Sequence, residues 1–169
     1  TKCFGEEVVK RVKIVNHEWQ DPNKLVYVGT TKNGTPVYIN KLVFEADFVI
    51  GVGGIIPHLF AGYGGGAKII QPGVCSERTT AYTHILAALK DPLKLLGDPN
   101  NVVRQEMEEV ARIAGLDFIV NVVFNSRREL VKVVAGDMRK AFMEGVKTAE
   151  YIYKREIPEL ADIVIVNSY

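Results

Sequence analysis

Three side chains able to do chemistry stand at fixed steps in one stretch of this sequence. His58 is followed ten residues later by Lys68, and Lys68 sixteen residues later by His84. Between them run Phe60-Ala61-Gly62-Tyr63, the triplet Gly64-Gly65-Gly66 and a closing Pro72-Gly73. Imidazole titrates near neutrality, so His58 is a candidate acid/base group. Lys68 is flanked by Ala67 and Ile69-Ile70; an amine in apolar surroundings loses its proton more readily and becomes nucleophilic, as covalent attachment of a cofactor requires. On a helical wheel His84 has Ala81 and Ala88 as neighbours, a small-residue face with room beside it, and imidazole suits nickel, zinc or copper. The plainer readings are a flexible turn, a snorkelling surface lysine and structural histidines.

The glycines carry an entropic cost that a loop commonly bears where backbone must approach a ligand closely. They do not spell a nucleotide motif. Gly64-Gly65-Gly66-Ala67-Lys68-Ile69 lacks the Gly-Lys pair and hydroxyl of a phosphate loop, and Gly51, Gly53 and Gly54 miss the dinucleotide spacing because Ile56 stands where a third glycine belongs. A nest of backbone amides could still take a phosphate. A zinc site from His58, Cys75 and His84 is arithmetically possible but lacks any short ligand pair. His17, beside Asn16 and Trp19, reads as structural.

The elements that must position these residues follow from local pattern. Glu6–Val12 reads as a short helix, and Val12–Val15 alternates like a half-buried strand. Leu25–Thr31 and Thr35–Asn40 flank Asn33-Gly34, a hairpin signal. Lys41–Glu45 is a helical turn and Asp47–Val52 a buried strand feeding the glycine loop. Thr79–Leu89 is a helix whose apolar face is Tyr82, Ile85, Leu86 and Leu89. Val102–Ala114, capped by Asn100 or Asn101 and stopped by Gly115, is a second helix. Asp117–Phe124 and Glu129–Ala135 form another hairpin, Met138–Arg155 a long helix, and Ile163–Val166 a last strand. The expected fold is a mixed α/β sheet with hairpins and flanking helices, in which a ligand crevice opens beyond the carboxyl ends of strands.

Bulk composition bounds the function. The 169 residues can bury a core. Twenty-one Lys and Arg against 20 Asp and Glu leave +1, which argues against a nucleic-acid or anionic-membrane footprint. No apolar run approaches the roughly 20 residues that span a bilayer. Two cysteines, Cys3 and Cys75, make no disulfide framework, so a cytoplasmic location is expected. The chain starts at Thr1 without methionine, and is expected to be a fragment of a longer protein.

At Pro57-His58-Leu59-Phe60-Ala61-Gly62-Tyr63, Gly65-Gly66-Ala67-Lys68, Pro72-Gly73, Thr79 and His84 the sequence resembles the lactate racemase family. Weaker similarity covers Asn16-His17, Gly34-Thr35-Pro36-Val37, Glu45-Ala46-Asp47, Asn121-Val122-Val123 and Ala135-Gly136-Asp137. The resemblance implies a 2-hydroxyacid racemase or epimerase using a nickel-pincer nucleotide, a pyridinium mononucleotide that clasps nickel through sulfur, carbon and sulfur and accepts the substrate's α-hydride. Lys68 matches the lysine that attaches it through a thioamide and His84 the protein's nickel ligand. His58 matches one of two histidines that exchange the hydroxyl proton. Phe60, Gly65, Gly66, Pro72 and Gly73 fall on the cofactor-binding segment. The implied partners are a small 2-hydroxy acid and the cofactor-synthesis enzymes.

The resemblance further implies that residues 1–160 are a cofactor-binding domain lacking its N-terminal part, and that Ala161-Asp162-Ile163-Val164-Ile165 enters a second domain. The partner histidine and several substrate contacts lie outside the chain in the family pattern, so the fragment alone is expected to be inactive. The alternative is a non-enzymatic nucleotide- or metal-binding module that retains the loop.

Overall fold

A strand of seven residues, β6 (Phe118–Phe124), lies at the centre of the sheet that carries the loop. Its pattern, Phe-Ile-Val-Asn-Val-Val-Phe, sends Ile119, Asn121 and Val123 to one face, where all three are fully buried. The computed structural model of the chain describes residues 5–156, 159, 162, 163 and 165. Strand β3 (Ile50–Gly54) runs parallel to β6, pairing Ile50 with Phe118 through Gly54 with Val122. Strand β7 (Leu130–Gly136) runs antiparallel on its other side. The expected β6–β7 hairpin is present. Asn125 makes its turn, its side-chain oxygen accepting from the amides of Arg127 and Glu129 at 2.9 and 3.0 Å.

The parallel pair β3 and β6 needs a long crossover, which contains the loop, α3 (Glu77–Ala88) and α4 (Val102–Ile113). Asn101 caps α4 by accepting from the Arg104 amide at 2.9 Å. Helix α5 (Lys140–Tyr153) packs Phe142, Val146 and Ala149 over β6 and β7. A 3-10 turn, Gly66–Ile69, covers β3, whose Gly51 and Gly53 face the Ile69 side chain. A second sheet is the expected hairpin of β1 (Leu25–Thr30) and β2 (Pro36–Asn40), followed by the short helix α2 (Lys41–Phe44). Its turn is tied to α4, because buried Glu106 accepts from the Thr31 hydroxyl and the Asn33 amide group. The mixed α/β architecture is therefore the one expected.

Four local expectations are corrected. The run Val12–Val15 is no strand: α1 (Glu6–Arg11) ends before it, it has no pairing partner among the described residues, and Val12, Ile14 and Val15 are exposed. Alternation without a neighbour to hydrogen-bond does not make a strand. The strand after Asp47 begins at Ile50 and is buried on one face only; Val52 is 70% exposed on the other. Helix α3 buries Thr79, Thr83 and Ala87; of the expected apolar face only Leu86 packs against the core, half-buried, while Tyr82, Ile85 and the following Leu89 are exposed. Polar anchors decide this orientation, since the Thr79 hydroxyl donates to the Pro36 carbonyl at 2.8 Å and accepts from the Tyr38 amide at 2.9 Å. Helix α5 starts two residues later and ends two earlier than expected. The strand expected over Ile163–Val166 includes Val164 and Val166, which lie outside the described residues. Among the described residues no helix is long and apolar enough to cross a membrane.

Candidate functional site

The chain leaves the carboxyl end of β3 through buried Ile55 and enters a two-residue strand, β4 (Pro57–His58). Strand β5 (Gly62–Tyr63) folds back on it, pairing His58 with Gly62. The 3-10 turn carrying Lys68 follows at once. The expected position, a loop at the carboxyl edge of a strand, is the observed one.

Most of this loop is not open to a ligand. Ala61 through Ala67 are all buried, and the glycines are required by the protein's own packing. Gly65 has φ +74°, and a Cβ there would meet the Asn121 side-chain oxygen at 2.6 Å. A Cβ on Gly62 would strike the Asp98 carbonyl oxygen at 2.0 Å. The expectation that backbone is bared for a close ligand is thus replaced at Gly65 and Gly66 by close packing inside the protein. What emerges from the loop is side chains: half-buried His58, Phe60 and Lys68.

His58 is held by its own turn. Its Nδ1 accepts from the backbone amides of Phe60 and Ala61, both at 3.2 Å. Two donors on Nδ1 put the neutral ring's proton on Nε2. Burial is the first cause that lowers its pKa below the ordinary 6.5; the positive charges of Lys68, Arg104 and His84 add to it. The ring of Phe60 stands edge-on to both histidines, 6.3 Å from His58 and 6.0 Å from His84 between centroids. His84 is exposed on α3, as the small-residue face of that helix implied. Lys68 has its pKa lowered first by burial and then by the charge of Arg104. The structure therefore brings His58, Phe60, Lys68 and His84 into one electrostatic neighbourhood.

Pro72 and Gly73 lie elsewhere. They line an apolar hollow of about 440 Å³ with His17, Trp19, Cys75, Glu77 and Thr80, and none of His58, Lys68 or His84 is on its wall. His17 is structural, as expected: its Nε2 meets the Cys75 carbonyl oxygen at 2.9 Å and its Nδ1 the Asn40 side-chain amide at 3.1 Å. The zinc reading fails. No group of three His, Cys, Asp or Glu side chains able to hold a metal occurs among the described residues. Cys75 is buried and its thiol pKa is pushed up to about 12, so it is no ready thiolate. His84 alone offers a single nitrogen, which suits a metal whose other donors come from a bound cofactor.

Two residues of the site escaped the sequence reading. Arg104 on α4 is fully buried and donates to the carbonyls of Ala61, Tyr63 and Gly65. Asn121 on β6 accepts from the Gly66 amide at 2.7 Å. Each had a signal. Arg104 shares a helix face with Met107 and Ala111, and Asn121 stands at an inward position of an apolar strand; a polar group among core residues needs partners.

The lactate racemase N-terminal domain model matches residues 1–97, more than half of the chain. This chain belongs to the lactate racemase family. It is 35% identical over 166 residues to a lactate racemase of Thermoanaerobacterium thermosaccharolyticum, covering 98% of this chain and 39% of that protein. It is 35% identical over 143 residues to the lactate racemase of Lactiplantibacillus plantarum, covering 84% and 34%. The apoprotein structure of the Thermoanaerobacterium thermosaccharolyticum enzyme superposes with a TM-score of 0.82 over 88% of this chain and 36% of that one, at 35% identity. A Thermotoga maritima protein at 24% identity shares the fold, with a TM-score of 0.72 over 82% and 39%. The chain thus spans little more than a third of the relatives it matches.

Proposed function

We propose that this chain is the cofactor-anchoring part of a 2-hydroxyacid racemase or epimerase, and that it holds a nickel-pincer nucleotide on Lys68. The observation that carries the reading is the half-buried Lys68, its pKa lowered, beside His58 and on the side of the loop that Phe60 shares with His84. A lowered pKa enlarges the fraction of neutral, nucleophilic amine at physiological pH. When bound, the nickel-pincer nucleotide supplies a hydride acceptor.

The chain's own residues do the rest. Lys68 fixes the cofactor covalently. His84 gives nickel one imidazole nitrogen, a ligand held on a regular helix. His58 exchanges the substrate's hydroxyl proton. Phe60 spaces the two histidines, so that the proton-exchanging ring is kept off the metal. Residues 1–160 form the cofactor-binding domain and 161–169 lead into a second one. The whole protein is cytoplasmic, takes a small 2-hydroxy or sugar acid, and receives its cofactor from the cofactor-synthesis enzymes.

The pinning of His58 favours a second reading. Nε2 already carries the neutral ring's proton, so a proton accepted by His58 would go to Nδ1 and set an N–H against two amide donors. A module that holds the cofactor without catalysing would tolerate that arrangement; an enzyme must release these contacts during turnover.

The test is peptide mapping of the full-length protein matured with the cofactor-synthesis enzymes. The covalent adduct is expected on Lys68 and absent in Lys68→Ala. His84→Ala is expected to lose nickel and keep the organic adduct, and His58→Ala to keep nickel and lose racemisation. An adduct on another residue overturns the assignment. Undiminished turnover in His58→Ala removes His58 from proton exchange, and absence of turnover in the loaded unmutated protein favours the second reading.

A further inference from the structure

Arg104 is a buried cation with no carboxylate of its own. Among the described residues no ion pair reaches it; the nearby Glu108 is taken by Arg139 at 2.6 Å and Arg112 at 3.5 Å. Burial presses the guanidinium's pKa down to about 10, which leaves it protonated at neutral pH. Burying a charge is costly unless its hydrogen bonds are satisfied, and an apolar side chain of similar size would fill the same space without that cost. What satisfies Arg104 is the glycine loop. Nε donates to the Ala61 carbonyl and Nη1 to the Gly65 carbonyl, both at 3.1 Å, and Nη2 donates to the Tyr63 carbonyl. The three acceptors are alternate residues of one segment, and the planar fork fixes their separations as an ammonium could not. The Phe142 ring backs the guanidinium, its centroid 4.4 Å from Cζ.

The link to the reactive lysine is one shared atom. The Gly65 carbonyl oxygen accepts from Arg104 and also from the backbone amide of Lys68, at 3.2 Å. We infer that Arg104 is a positioning residue: by gathering the carbonyls of Ala61, Tyr63 and Gly65 against α4, it sets the loop shape from which Lys68 projects, and it places a fixed positive charge behind that lysine. The functional meaning rests on the reading of Lys68 as the attachment point, while the geometry stands without it. The fixed charge acts together with burial to keep the lysine's proton loosely held, and it bears in the same sense on His58. The clamp and the nucleophile are thus one unit, built from residues 36 apart in sequence, Lys68 to Arg104.

The experiment uses the full-length protein without cofactor, so a failure of the cofactor assignment leaves it readable. Lys68 is labelled with trinitrobenzenesulfonate across a pH series and quantified by peptide mass spectrometry. The midpoint of the profile reports the lysine's proton affinity, and the plateau at high pH reports its accessibility. Urea unfolding of each variant checks the fold.

Arg104→Met removes both charge and fork; its midpoint is expected to rise by about half a pH unit or more, and its plateau by about threefold or more as the loop loosens. Arg104→Lys keeps the charge and loses the planar fork; it is expected to hold the midpoint near wild type and raise the plateau. A folded Arg104→Met with midpoint and plateau both at the wild-type values overturns the inference. If that variant does not fold, an unchanged plateau in Arg104→Lys overturns it. Native-state hydrogen exchange of the unmutated protein needs no variant: the Lys68 amide is expected to exchange with the core amides of α4, and fast local exchange there overturns the inference.

Discussion

The side-chain oxygen of Asn121 accepts the backbone amide of Gly66 at 2.7 Å, bridging residues 55 apart in sequence. Asn121 is fully buried, and its own Nδ2 donates to the Val120 carbonyl at 3.0 Å. It is the counterpart of Arg104: one side chain takes the loop's amide, the other its carbonyls. Asn121→Ala leaves the Gly66 amide unpaired in a dry interior, at an expected cost of about 1–3 kcal/mol. A lower urea midpoint with an unchanged slope is the expected measurement. An unaltered midpoint would mean that another acceptor reaches Gly66.

His58 makes folding sensitive to mild acid. Its folded pKa lies below the ordinary 6.5, so the neutral ring is the form the fold prefers. The unfolded chain takes up the proton first as pH falls below 6.5. The contribution of His58 is therefore present in full above that value and is lost as pH falls through the folded pKa. Unfolding free energy measured between pH 5 and 8 is expected to drop toward acid more steeply in the wild type than in His58→Gln. Parallel profiles would contradict the lowered pKa.

Lys68 carries a penalty of the same sign, already present at neutral pH. Its folded pKa is lowered, so folding disfavours the charged amine that dominates at neutral pH. Lys68→Met keeps the apolar stem and removes the charge. Stability at pH 7 is expected to be equal or higher by about 0.5–1 kcal/mol. The gain shrinks as pH rises through the folded pKa, where the wild-type amine is already neutral. A clear loss of stability at pH 7 would mean that the ammonium group makes a stabilising contact.

What could be read in advance depended on whether the decisive partner was local. The β1–β2 and β6–β7 hairpins were legible because Asn33-Gly34 and Asn125 act within their own turns. Helix α4 was legible because Asn101 caps it and Gly115 stops it. The face of α3 was not, because Thr79 hydrogen-bonds to β2, 41 residues away from Tyr38, and outweighs the Tyr82/Ile85/Leu89 stripe. The site divides in the same way. His58, Lys68 and His84 were visible as chemistry at set spacings. Arg104 and Asn121 do no chemistry themselves, and their role exists only once α4 and β6 are packed against the loop.

The isolated 169-residue chain is expected not to racemise a 2-hydroxy acid at a useful rate, even when loaded with cofactor. Racemisation needs a proton acceptor for each of two mirror-related substrate poses, and the chain has three histidines. His84 is proposed as the nickel ligand. His17 has one ring nitrogen against the Cys75 carbonyl and the other against Asn40, so neither is free to exchange a proton with substrate. Only His58 remains, and it serves one pose. Loss of a positioned acid/base group typically costs about 10²–10⁴ in rate. A chiral assay of lactate and related hydroxy acids, comparing this chain with the full-length protein, measures the deficit. Comparable rates would place the second base within these 169 residues, and with His17 and His84 both committed it would have to be a side chain other than histidine.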